Sequence, residues 1–125
     1  PEQAFYGCGM LEEVLLPGSV RTVGARAFSC CWSLRSVCFS EGLERVCFGA
    51  FSGCRIQGLL FPVSLLEIGE GAFYDNALAE VAFREGSRLE AVGGHVFGEN
   101  PLLSRDIAFP RDALVADDAF ADYGE

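Results

Sequence analysis

The chain has 125 residues, with 18 acidic against 9 basic side chains and a formal net charge of −9. That balance opposes binding to nucleic acid and to anionic membrane surfaces, favours solubility and leaves a basic partner compatible. No apolar run is long enough for a membrane-spanning helix, so no membrane insertion is expected.

Phe5, Phe28, Phe51, Phe73, Phe97 and Phe120 follow one another at steps of 23, 23, 22, 24 and 23 residues. Repetition at this period is the mark of a solenoid whose units stack on their neighbours. The first copy runs Ala4-Phe5-Tyr6-Gly7-Cys8, then Leu11, Val14, Leu16-Pro17, Val20 and Val23-Gly24. The second runs Ala27-Phe28-Ser29-Cys30-Cys31, then Leu34, Val37, Phe39, Leu43 and Val46-Cys47. The third has Ala50-Phe51 and Cys54, then Ile56, Leu59, Phe61-Pro62, Leu65 and Ile68-Gly69. The fourth has Ala72-Phe73 and Asn76, then Leu78, Val81, Phe83, Leu89 and Val92-Gly93. The fifth has Val96-Phe97 and Asn100, then Leu102 or Leu103, Ile107, Phe109-Pro110 and Val115-Ala116, before a sixth opens at Ala119-Phe120. Copies three and four are one residue short between the Cys or Asn and the next aliphatic, and copy four gains two within 84–88. Length changes of this kind belong at turns. The expected organisation is one array over 1–125, with repeats at about 4–26, 27–49, 50–71, 72–95 and 96–118 and a partial repeat at 119–125. The chain opens and closes in mid-repeat. We therefore read it as a piece of a longer array and take nothing from missing targeting signals.

Within each copy, segments such as Val14-Leu15-Leu16, Val37-Cys38-Phe39 and Val81-Ala82-Phe83 predict a strand whose outer two side chains point inward. Pro17, Pro62 and Pro110 end it, since proline cannot donate to a ladder. A second, shorter extended stretch precedes Gly24, Gly69 and Gly93, where a bend with positive φ is expected. The Ala-Phe corner is expected to turn the chain through one turn of 3₁₀- or α-helix. Stacking at about 4.8 Å per coil would set the phenylalanines one on another and pair the strands in parallel. The fold expected is a right-handed repeat solenoid, β-rich, with short parallel strands and short helical turns, in about five coils of 22–24 residues.

Six cysteines are present, but no CxxC or zinc-ligand spacing. Cys8, Cys31 and Cys54 share one position of the repeat, which Asn76 and Asn100 fill later. A thiol, like an amide, can donate to a backbone carbonyl in a tight turn. The column therefore reads as structural and buried, although stacked neighbours lie near disulfide distance. Cys30, Cys38 and Cys47 fall off it. The single histidine, His95, stands at a turn and reads as solvent-facing. With one histidine and no lysine, no nucleophile, base and orienting group come together. Glu12-Glu13 and Asp117-Asp118 read as solvated pairs, and Cys30-Cys31 as the least implausible catalytic pair. No enzyme, metal or cofactor is expected.

Side chains that point outward at the same place in successive coils are where an array binds. One such column is Glu13, Ser36, Gly58, Glu80 and Asp106. Beside it runs Leu15, Cys38, Leu60, Ala82 and Ala108, wholly apolar where solvent is expected. Either a flat parallel sheet tolerates small exposed apolars here, or neighbouring loops cover them, or the strip is a contact surface for a protein or for another copy of the chain. The matching column of the second strand, Thr22, Arg45, Glu67, Ala91 and Leu114, reads as a solvated face. Trp32, where other copies carry Gly9, Arg55 and Ala77, is either an exposed anchor or folded over a loop. Tyr6 and Tyr74 are either turn packing or exposed aromatic contacts.

These spacings resemble the BspA-like leucine-rich-repeat family, whose pattern looks like A-F-x-x-C-x-x-L-x-x-V-x-L-P-x-x-L-x-x-I-G. Copy five departs from it at Ser104 and Asp112, through looser packing or drift toward a cap. The resemblance implies a non-catalytic protein–protein interaction module, in cell-surface adhesion or host-protein binding. The alternative is a structural spacer or intracellular scaffold segment of a larger multidomain protein. The partner is expected to be a protein, neighbouring repeats or a second copy. Localisation stays open between cell surface or secreted, which the resemblance implies, and cytoplasmic, which apparently free cysteines would suit.

Overall fold

Alternation with period two in segments too short to stand alone gives strands that need neighbours. In the computed structural model, which describes residues 5–101 and 107–122, each of four coils supplies one long and one short strand. These are β1 Glu13–Leu16 and β2 Thr22–Val23, β3 Ser36–Phe39 and β4 Arg45–Val46, β5 Gly58–Phe61 and β6 Glu67–Ile68, then β7 Glu80–Phe83 and β8 Ala91–Val92. Coil 5 adds β9, Leu114–Val115. All pairing is parallel, between corresponding residues of successive coils. The long strands end before Pro17 and Pro62, as the missing proline donor requires.

The short strands form one ladder, β2-β4-β6-β8-β9, whereas the long strands form two pairs, β1-β3 and β5-β7. Coil lengths locate this break. Coils 1 and 2 have three-residue steps from Cys8 to Leu11 and from Cys31 to Leu34; coils 3 and 4 have two-residue steps from Cys54 to Ile56 and from Asn76 to Leu78. Coils that share the same step ladder together. The seam between β3 and β5 falls where the length changes.

The core is two phenylalanine columns side by side, whose ring planes cross at 66–86° where they meet. Phe5, Phe28, Phe51 and Phe73 stack with centroids 5.0–5.3 Å apart and planes within 6° of parallel. Phe39, Phe61 and Phe83, from the ends of β3, β5 and β7, stack at 5.3 Å. The columns meet edge to face, with Phe61 against Phe73 at 5.6 Å and 66°. Offset stacking and T-shaped contact are the two arrangements the ring quadrupole favours. Phe51 and Phe73 are fully buried; Phe97 is buried and Phe120 half-buried, while Phe5, with a face at the first coil, is 48% exposed.

The corners differ from expectation in two ways. Isolated i→i+3 turns replace a continuous helical turn, and no helix occurs among the described residues. The cause is a left-handed residue on each side of the Phe: Arg26, Gly49, Gly71 and His95 two positions before, Gly7, Cys30, Gly53, Asp75 and Glu99 two positions after. Left-handed backbone stops a right-handed helix after one bond. It also turns amides toward the next coil, so that Phe28 N donates to Ala50 O at 2.7 Å and Phe51 N to Ala72 O at 2.8 Å. Second, positive φ does not fall at Gly24, Gly69 and Gly93. Gly69 and Gly93 are needed for close approach: a Cβ on Gly93 would lie 2.7 Å from Glu70 N, and one on Gly69 would lie 2.9 Å from Phe48 N.

Candidate interaction surface

The register places the outward side chains as a surface. Leu15 stands beside Cys38 across β1 and β3, and Leu60 beside Ala82 across β5 and β7. Leu15 is 72% exposed and Leu60 45%, and Cys38, Ala82 and Ala108 are exposed as well. Among the described residues no loop covers them, so this strip is open rather than hidden. Glu13, Ser36, Gly58 and Glu80 are exposed alongside; Asp106, the remaining member of that column, lies outside the described residues. An open depression of about 560 Å³ over β5 and β7 has Leu60, Glu80 and Ala82 in its lining.

Trp32 is 56% exposed at the corner before β3. Tyr6 is exposed and Tyr74 half-buried. On the second-strand face Arg45 pairs with Glu67 at 3.2 Å and Arg21 with Glu44 at 3.2 Å. Exposed pairs of this kind are worth about 0–1 kcal/mol. Ala91 is half-buried there and Leu114 exposed.

The Cys/Asn column is structural in detail. Cys31 Sγ donates to Phe5 O at 3.2 Å and Cys54 Sγ to Phe28 O at 3.1 Å. Asn76 Nδ2 donates to Phe51 O at 2.9 Å, and Asn100 Nδ2 to Phe73 O at 3.0 Å. Each side chain thus ties its coil to the carbonyl of the preceding phenylalanine. Cys8, in the first coil, is half-buried. All six cysteines are free thiols. Desolvation raises the Cys31 pKa and pushes that of Cys54 up to about 12, the backbone hydrogen bonds only partly offsetting it. A thiol held neutral is a poor nucleophile and a poor metal ligand. Among the described residues no three His, Cys, Asp or Glu side chains converge as a metal site.

Two functions were missed by sequence reasoning. Asn76 and Asn100 also accept: Oδ1 of each takes an amide hydrogen, from Ile56 and Leu78 respectively, at 3.0 Å. The signal was the coincidence of the deletions in copies three and four with the change from Cys to Asn one copy later. His95, expected to face solvent, is instead engaged with the last coil. Its Nδ1 lies 2.8 Å from Ala121 O and its Nε2 3.3 Å from an Asp118 carboxylate oxygen.

Among the described residues no helix is long and apolar enough to cross a membrane. None of the curated proteins compared with the chain matches it. Among solved structures, the chain is similar to the pneumococcal vaccine antigen PcpA, at 20% identity and a TM-score of 0.59, covering 82% of this chain and 40% of that one. It is similar to the T. pallidum leucine-rich-repeat protein TpLRR, at 31% identity and a TM-score of 0.56, covering 73% of this chain and 49% of that one. It is also similar to a leucine-rich cell surface protein from Faecalibacterium prausnitzii A2-165, at 18% identity and a TM-score of 0.60, covering 95% of this chain and 53% of that one. The chain thus spans 40–53% of the length of these structures. Leucine-rich-repeat domains are generally non-catalytic and mediate protein interactions. A family model for the BspA-type leucine-rich-repeat region matches residues 1–123 in six copies, and the chain belongs to that family.

Proposed function

We propose that the array is a non-catalytic protein-binding module whose partner lies across the strip Leu15, Cys38, Leu60 and Ala82. The observation that carries this reading is the exposure of Leu15 and Leu60 on a sheet face that no loop covers among the described residues. Exposed apolar side chains repeated in register form a patch, and patches of this kind mark interaction sites. A spacer has no need of them. The non-catalytic part is supported by the column thiols, which are bonded to backbone, and by the single histidine, which is engaged with Ala121 and Asp118. Cell-surface adhesion or host-protein binding is the setting we favour, on the likeness to a vaccine antigen and a cell surface protein.

The test is the double substitution Leu15→Glu with Leu60→Glu. It should leave circular dichroism unchanged, because both side chains point outward. Binders selected from a displayed protein library against the wild type should then lose the variant by tenfold or more. Equal binding to both would remove the strip from the interface. Loss of fold would show the register to be wrong.

A further inference from the structure

The outer corner of coil 2 carries a feature that the strip does not explain. Glu12, Trp32, Ser33, Arg35 and Arg55 line a notch of about 290 Å³. Its origin is the change in coil length: coil 3 passes directly from Arg55 to Ile56 and has no counterpart of Ser33. The coil 3 corner is thereby one residue shorter beside Trp32. On the other side, the indole Cδ1 lies 3.4 Å from where a Gly9 side chain would begin, so the ring lies along coil 1 and leaves more than half its surface open.

We propose that this notch is a carboxylate-binding subsite, taking an acidic side chain of a partner polypeptide whose apolar neighbour lies on Trp32. The inference rests on the protein-binding reading above. Arg55 is already oriented to receive such a group. Its Nε donates to Trp32 O at 3.0 Å, and its terminal nitrogens remain for a ligand. Among the described residues no carboxylate pairs with it. A guanidinium held by one nitrogen presents the others in the planar fork that suits a carboxylate. Arg35, by contrast, is held by Glu12 at 2.7 Å. The pocket therefore carries two positive charges and one negative.

That charge count selects the ligand. One excess positive charge matches one carboxylate. A phosphate near neutral pH brings close to two negative charges and would face Glu12 as well. The net charge of −9 further opposes any polyanion. The partner segment is accordingly one acid beside an apolar or aromatic residue, with neutral or basic residues where it runs past Glu13.

Trp32 is the only tryptophan, so its fluorescence reports this corner alone. The probe is an acetylated, amidated Gly-Asp-Phe-Gly peptide, titrated against the intact chain beside its Gly-Asn-Phe-Gly and Gly-phosphoserine-Phe-Gly analogues. The aspartate peptide should give a saturable emission change, with the asparagine peptide at least tenfold weaker. Arg55→Gln should weaken the aspartate peptide by a similar factor, with the circular dichroism spectrum unchanged. The proposal falls if no peptide saturates by about 10 mM, the range of very weak binding, or if aspartate and asparagine peptides bind alike. Stronger binding by the phosphoserine peptide would overturn the choice of a monoanion. Loss of the peptide while Leu15→Glu with Leu60→Glu still abolishes partner binding would remove the subsite and leave the module. The reverse result would remove the strip and leave the subsite.

Discussion

Asn76 Oδ1 accepts the amide hydrogen of Ile56, one coil earlier, at 3.0 Å. In full-length coils the equivalent amide closes a local turn, as Leu34 N does on Cys31 O at 3.0 Å. Coil 3 is one residue short, so that turn cannot close, and the following coil supplies the acceptor from its side chain. A thiol at that position could donate to Phe51 O but would serve poorly as the acceptor. The change from Cys54 to Asn76 along the column thus answers the deletion, and Asn100 repeats the answer for Leu78.

Asn76→Cys should therefore destabilise the protein, although cysteine is the residue of the same column in three earlier coils. Leaving the Ile56 amide without an acceptor should cost about 1–3 kcal/mol. The converse change, Cys54→Asn, should bring no gain, because the Leu34 amide is already satisfied. Urea midpoints of the two variants check the asymmetry.

Phe51→Ala should cost about 3–5 kcal/mol, as expected for removing a fully buried aromatic. Phe51 stacks on Phe28 and Phe73 and meets Phe39 edge-on, so its loss opens both columns. Phe5→Ala should cost far less, since that ring is 48% exposed and stacks on Phe28 alone among the described rings. Hydrogen exchange should show the Phe51 damage confined to the adjacent coils, because an array is held by nearest-neighbour contacts.

Alkaline pH should weaken the fold through the thiol column. Burial holds the Cys54 proton to about pH 12 in the folded chain, against an ordinary value of 9.0. Between those values the unfolded chain has lost its proton and the folded chain keeps it, so rising pH favours unfolding. The contribution is complete below about pH 9 and is lost as pH rises toward 12. Cys31 acts in the same direction. The check is the urea midpoint measured from pH 8 to pH 11; Cys54→Ala should flatten its slope. In native protein a thiol reagent should modify exposed Cys38 first and the buried Cys31 and Cys54 last.

Much of the fold was legible because stacking makes one coil's pattern the next coil's constraint. The period of the phenylalanines placed the stacked rings, and the alternation at Val14-Leu15-Leu16 placed Leu15 outside and Leu16 inside. Less legible was anything decided between coils. That Gly93 is required by the Glu70 backbone, and that Asp75 and His95 adopt left-handed φ, depends on where a neighbouring chain passes. Glycine at Gly49, Gly53 and Gly71 hinted at those positions, but Arg26 and Cys30 concealed the rule. The notch at Trp32 was hidden for the same reason: it needs Glu12, Arg35 and Arg55 from three coils, and each alone reads as a solvated charge.

The seam between β3 and β5 makes the array mechanically uneven. On one side five short strands are joined without interruption and act as a spine. On the other, the long-strand side has no ladder bonds between its two pairs, so it resists bending less there than within either pair. A load that bends the solenoid opens or closes that gap while the spine serves as the hinge. Because the gap lies between Cys38 and Leu60, such bending changes the curvature of the apolar strip at its midpoint and leaves each half intact.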